Sequence, residues 1–265
     1  MPAECVFTRT GEVYRFHCLE IRGGNRYAVY NAELPGWSAW VSSRPLDPAA
    51  PGGDLHYLSV CSQGAISRAI VADVEGHGED VSVVAERLRE ALREHANEWD
   101  QSALIRTLND GFLHGKRRGK YATAFVLSHY AATGEALFTN AGHLPPLWRK
   151  SGSGEWSFLD EQTSDLKLIA DLPLGMIPGT DYTQTGVQFA PGDLIVLYTD
   201  GISEAHNNHG EQLGLDRLLD IASGLPDAPP SAVGEALLGA VERFQGTAPV
   251  TDDATVVVLQ CRPRS

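Results

Sequence analysis

At 265 residues, 43% apolar and 21% charged, the chain has the composition of an ordinary globular protein with length enough for a large core. Its formal net charge of -13 excludes a nucleic-acid partner, because phosphate backbones are bound through basic surface and the one basic run, Lys116 to Lys120, reads as a short solvated loop. No run approaches the ~18 consecutive apolar residues of a membrane span, the N-terminus lacks a leader pattern, and the four cysteines show no CxxC spacing, so a cytoplasmic protein with buried, reduced thiols is expected.

Up to about Ser59, short β-like segments (EVYRFHCLEI, RYAVYNAEL, WSAWVSS) alternate with Gly and Pro signals and predict strands joined by hairpins. The run from Ala65 to Asp73, apolar apart from Ser67, Arg68 and the closing aspartate, predicts a strand delivering Asp73 to its end. A helix follows over Val81 to His95, with Val81, Val84, Ala85, Leu88, Ala91, Leu92 and His95 on one face and Glu86, Arg87, Glu90, Arg93 and Glu94 on the wet one. A second helix is predicted from about Gln101 to His114, capped by Asp100 or Ser102, with Leu104, Ile105, Leu108 and Phe112 inward.

The middle returns to β character in TAFVLSHY, EALFTNAG, PLWRK and WSFLD. After DLIVLYTDG, helical patterns occupy Gln212 to Ala222 and Ser231 to Phe244, before a closing strand from Ala254 to Cys261. IVLYT and TVVVLQC are apolar on both parities, so each strand is expected to bury one face against a second sheet and the other against helices. Two sheets between two helical layers satisfy that pattern. With no repeat or linker, a single domain over residues 1–265 is expected.

Four aspartates fall at the ends of these apolar runs: Asp54 in PGGDLHYL, Asp73 in AIVADVEGHG, Asp200 in DLIVLYTDG and Asp252 in VTDDATVVVL. A carboxylate just past a buried strand is held rigidly yet reaches a cleft, and several converging from distant segments suit hard divalent cations. Metal-assisted phosphoester hydrolysis is the chemistry this pattern points to. Singly, each aspartate would pass for a turn or cap residue. His77, between Gly76 and Gly78, suits a turn better than a general acid; His143 in NAGHLPP is expected to hydrogen-bond within a turn shared with Asn140 and Pro145. Arg44 is either an arm for a substrate phosphate or a surface ion pair.

Taken in order, DVEGHG, TNAGHLPP, LPLG, FAPGDLIVLYTDGISEA and TDDATVVVL resemble the metal-dependent protein phosphatases, in particular the bacterial SpoIIE/RsbU-like serine/threonine branch, from about Pro35 to residue 262. The resemblance implies an α+β, four-layer αββα sandwich, with two central, mainly antiparallel sheets and two Mn²⁺ or Mg²⁺ ions at one end. It implies metal ligation by Asp73, the Val74 carbonyl, Asp200 and Asp252, with Asp54 holding a metal or its waters and Asp253 in an outer-shell or third-metal role. Asp73 and Asp200 would then serve catalysis through a metal-activated water. The family's fuller first motif has a further aspartate where this chain has Tyr57.

The implied activity is hydrolysis of phosphoserine or phosphothreonine on a bacterial regulatory protein, such as an anti-sigma-factor antagonist. A non-catalytic docking module and a small-molecule phosphatase on the same fold are the alternatives. No sensory segment precedes the match, so regulation is expected from an activator protein, from the β segment at 1–34, or from homodimerisation through the helix at 81–95.

Overall fold

The computed structural model describes residues 12–61, 63–76, 79–95, 97–113, 121–159 and 172–263. In chain order the elements are β1 (Val13–Arg15), β2 (Ile21–Gly24), β3 (Ala28–Leu34), β4 (Trp37–Arg44), β5 (Asp54–Val60), β6 (Ile66–Val74), α1 (Glu79–Glu94), α2 (Gln101–Leu113), β7 (Ala122–Tyr130), β8 (Glu135–Ala141), β9 (Leu147–Arg149) and β10 (Trp156–Phe158). They continue with β11 (Thr185–Gln188), β12 (Leu194–Tyr198), α3 (Asp200–Ser203), α4 (Gly214–Ser223), α5 (Pro230–Gln245) and β13 (Ala254–Cys261).

The strands form two sheets, ordered β1-β3-β4-β13-β12-β9-β10 and β11-β8-β7-β6-β5-β2. Side-chain alternation builds three apolar layers from them. Val71, Phe125, Leu127, Ile195, Leu197 and Val257 meet between the sheets. The opposite parity, including Leu55, Ile70, Ala72 and Val126, packs under α1 and α2 through Val81, Leu88, Leu104 and Leu108. Val196, Tyr198, Val256 and Val258 pack likewise under α4 and α5 through Leu218, Val233 and Leu237. The result is the expected four-layer αββα sandwich. Asp100 is the cap of α2, its Oδ1 accepting from the Ser102 N–H at 2.8 Å.

The N-terminal β segment departs from expectation. EVYRFHCLEI is not one hairpin strand: β1 pairs parallel to β3, whereas β2 pairs antiparallel to β5 in the other sheet. The chain crosses between the sheets at a turn around Leu19, whose φ is 64°. That turn also explains Cys18, which is exposed rather than buried; Cys61 and Cys261 are buried as expected.

Candidate metal centre

Asp54 opens β5 and Asp73 is the penultimate residue of β6, and the two are direct partners across the antiparallel pair. Asp54 is in phase with Leu58 and Val60, and Asp73 with Ala69 and Val71, all of which face the other sheet. Both carboxylates therefore project into the end of the gap between the sheets. From the facing sheet, Thr199 donates its hydroxyl to Asp54 Oδ2 at 2.6 Å, and the Thr255 N–H donates to Thr199 Oγ1 at 2.9 Å. Asp54 is 4% exposed, and that burial pushes its pKa well above the usual carboxylate range; the negative charges of Asp73 and Asp253 add to this while the Thr199 bond opposes it.

Asp200 lies one residue past β12, after Thr199, and starts the single turn of α3. A Cβ on the next residue, Gly201, would overlap the Asp253 carbonyl oxygen, so glycine lets the Asp200 turn lie flat against the loop before β13. That loop carries Asp252, which is exposed, and Asp253. Asp253 accepts the Leu46 N–H through Oδ1 at 2.6 Å and the Gly53 N–H through Oδ2. A Cβ on Gly52 would collide with the same carboxylate, and one on Gly53 would stand 3.0 Å from the Val74 carbonyl oxygen. The paired glycines before Asp54 thus leave room for Asp253 and for the Val74 carbonyl.

The electrostatics are one-sided. Asp73 has its pKa pushed up to about 7, by burial first and then by Asp200, Asp252, Asp253 and Glu204, each acting upward. Asp200 is raised too, by burial, Asp252 and Glu204. Acids that raise one another in this way are stabilised by a cation, and an all-oxygen donor set selects a hard one. As they stand, no three His, Cys, Asp or Glu side chains among the described residues close on a common point. Asp252 and Glu204 are exposed at the mouth, Asp252 accepting the Asp253 N–H through Oδ1 at 2.8 Å, whereas Asp54 is buried and tied to Thr199 through Oδ2.

Residues 64–262 match the family model described as stage II sporulation protein E (SpoIIE). The chain belongs to the SpoIIE family. It is 22% identical over 198 residues to the phosphoserine phosphatase RsbP of Bacillus subtilis, which covers 73% of this chain and 45% of RsbP, so the chain spans less than half of that relative's length. Among solved structures it is similar to the RsbU and RsbW domains of Rv1364c from Mycobacterium tuberculosis, with a TM-score of 0.72 and 23% identity over 91% of this chain and 64% of the other. The catalytic domain of the serine/threonine phosphatase PstP, solved with two manganese ions, gives a TM-score of 0.57 and 16% identity over 86% and 99%. These likenesses establish a PP2C-type phosphatase fold.

In this SpoIIE-family chain Glu204 is the acidic residue that motif reading missed. It lies one helical turn after Asp200, and its N–H donates to the Asp200 carbonyl at 2.7 Å, a spacing that is itself the overlooked signal. Tyr57 is turned the other way, buried in the layer beneath α1 and α2. His77 and Lys116 to Lys120 lie outside the described residues.

His143 is a brace, as its motif suggested. Its ring lies 3.1 Å through Nε2 from the Tyr198 carbonyl and 2.8 Å through Nδ1 from the Thr123 hydroxyl. Since a carbonyl only accepts, Nε2 carries the proton and Nδ1 accepts from Thr123. Burial lowers its pKa to about 4, which keeps it neutral. Asn140 holds the His143 backbone through both amide atoms, and the Tyr198 hydroxyl donates to the Pro145 carbonyl at 2.9 Å. The turn thereby fixes the strand end from which Thr199 and Asp200 emerge. Arg44 makes the surface ion pair, to Glu242 at 2.8 Å.

Proposed function

We propose that the chain is a metal-dependent serine/threonine phosphatase that hydrolyses a phosphoserine or phosphothreonine on a regulatory protein, such as an anti-sigma-factor antagonist, in the cytoplasm. The observation that carries this reading is the convergence of Asp54, Asp73, Asp200, Asp252, Asp253 and Glu204 on one end of the sandwich, with the pKa of Asp73 raised to about 7 by burial and then by its neighbours' charge. The phosphoserine phosphatase name of RsbP and the two manganese ions of PstP support the same choice of substrate class and cofactor. No helix among the described residues is long and apolar enough to cross a membrane.

Asp73, the Val74 carbonyl, Asp200 and Asp252 would hold two Mn²⁺ or Mg²⁺ ions, with Glu204 within reach of the same cup. Such ions supply a nucleophilic water at neutral pH and neutralise charge on the phosphoryl oxygens. Asp54 shares its buried carboxylate with Thr199 and locks β5 to β12. Asp253, with both oxygens engaged by backbone N–H groups, positions the Gly52–Gly53 turn. An activator protein or a second copy bearing on α1, whose Glu90, Arg93 and Glu94 are exposed, would set the activity.

The sign of the pH dependence follows from Asp73. Its raised pKa means that below about 7 a cation must displace a proton from the metal-free site. Apparent Mn²⁺ affinity is expected to rise by up to about tenfold per pH unit below 7 and to level off above it. By the same sign, the charge penalty on the metal-free fold is absent below the ordinary value of 3.8 and complete once pH has passed about 7. Calorimetric titration of Mn²⁺ between pH 5.5 and 8 measures the first, and an affinity independent of pH contradicts it.

The function is tested by assaying 4-nitrophenyl phosphate and a phosphoserine peptide with Mn²⁺, for the wild type and Asp200→Asn. Turnover of both by the wild type and of neither by the variant is expected. A folded, Mn²⁺-loaded wild type that releases no phosphate from either substrate leaves a docking module instead.

A further inference from the structure

Among the described residues seven large apolar side chains are prominently exposed, and their distribution is uneven. Leu46 (53% exposed) and Val250 (57%) sit in the two loops that meet at Asp253, on the first sheet's side of the acidic mouth. Met176 (49%) and Ile177 (45%) lie on the second sheet's side: Leu174 exchanges backbone hydrogen bonds with Ala122, which is the strand partner of Val74. Leu19 and Trp99 are at the opposite end, beside Val60 and Tyr130, and Val13 is on a sheet edge.

The Met176–Ile177 tip is built rather than loose. Asn109 of α2, buried to 1% exposure, accepts the Gly175 N–H at 2.8 Å and the Tyr182 hydroxyl at 3.1 Å, and donates to the Ile177 carbonyl at 3.2 Å. The Thr180 hydroxyl donates to that carbonyl as well, at 2.8 Å, and Gly175 takes the positive φ of 86° that the turn needs. A buried asparagine spent on fixing a loop that holds two apolar side chains in water stabilises nothing at the tip itself. Such an arrangement has a use when another surface covers it.

Resting on the phosphatase reading, we propose that Leu46 with Val250, and Met176 with Ile177, are two apolar pads that select the substrate: a phosphoserine-bearing protein segment with apolar side chains on both sides of the phosphorylated residue. At ~4.8 Å per strand and ~3.3 Å per residue, the Met176 pad lies on the order of 10–15 Å from Asp73, which is beyond an aryl phosphate and about three or four residues along an extended chain. The acidic mouth itself repels carboxylates, so discrimination by apolar contacts at the rim complements a centre that can only recognise phosphate through cations.

The probes are 4-nitrophenyl phosphate and two phosphoserine peptides of about 15 residues, one carrying leucine at about the third and fourth residues to each side and the other serine there. The wild type with Mn²⁺ is expected to turn over the leucine peptide with about tenfold higher kcat/KM than the serine peptide. Leu46→Ser with Val250→Ser, and separately Met176→Ser with Ile177→Ser, should each remove most of that ratio, while Leu19→Ser with Trp99→Ser keeps it. No preference in the wild type, or a preference that survives both rim pairs, overturns the pads and leaves the phosphatase standing. No turnover of any probe overturns the phosphatase reading and the pads with it.

Discussion

Replacing Asp73 with asparagine is expected to lower kcat/KM by about a thousandfold or more, since the proposed metal centre would supply several kcal/mol of charge stabilisation to the transition state. The same substitution should raise the Tm of the metal-free protein. Asp73 is pressed by burial and by Asp200, Asp252, Asp253 and Glu204, and asparagine keeps the shape while removing the charge. A lost function joined to a gained stability is the signature of a site whose acids are held together for a cation. Activity assays beside thermal melts in EDTA measure both; an Asp73→Asn protein that melts lower than the wild type without metal contradicts the electrostatic account, whatever its activity.

Gly201→Ala, a change of a single methyl group beside the acidic mouth, is expected to lower both stability and activity. Its Cβ would overlap the Asp253 carbonyl oxygen, and that atom belongs to backbone next to β13, which pairs along its whole length with β4. The Asp200 turn must move instead. Overpacking of this kind costs about 1–3 kcal/mol, or roughly 3–10 °C of Tm for a domain of this size. A displacement near 1 Å at the site costs about 10²-fold in rate. Gly210→Ala, where a Cβ would meet nothing, is the control for general disturbance, although its φ of 77° brings a modest strain of its own. If Gly201→Ala retains wild-type kcat/KM, the packing of the two aspartate loops does not govern the site.

The layers were legible because alternation is a physical consequence of strand geometry: Ile195 and Leu197 against Leu194, Val196 and Tyr198 can only mean two buried faces. The four strand-end aspartates were legible for a related reason, since a carboxylate ending an apolar run is costly unless it serves a purpose there. What could not be read was long-range. Nothing in EVYRFHCLEI says that Val13–Arg15 joins one sheet while Ile21 opens a strand of the other, because each strand is too short for its alternation to choose a partner. The bond from Thr199 to Asp54 spans 145 positions, and Asp253 reaches 200 back to Gly53. Both tie residues whose meeting depends on sheet order, not on local pattern. Glu204 was the exception, a local signal that a helical turn after Asp200 made available.

Release of phosphate by this chain is expected to depend on bound metal. The most direct measurement strips the chain with EDTA, dialyses it, and titrates Mn²⁺ back while following bound manganese by electron paramagnetic resonance and phosphate released from a phosphoserine peptide. The prediction is no release from the stripped protein, and activity that rises in step with the uptake of two manganese ions per chain at pH 8. Undiminished hydrolysis in excess EDTA, or manganese uptake without any hydrolysis by a folded chain, would contradict it.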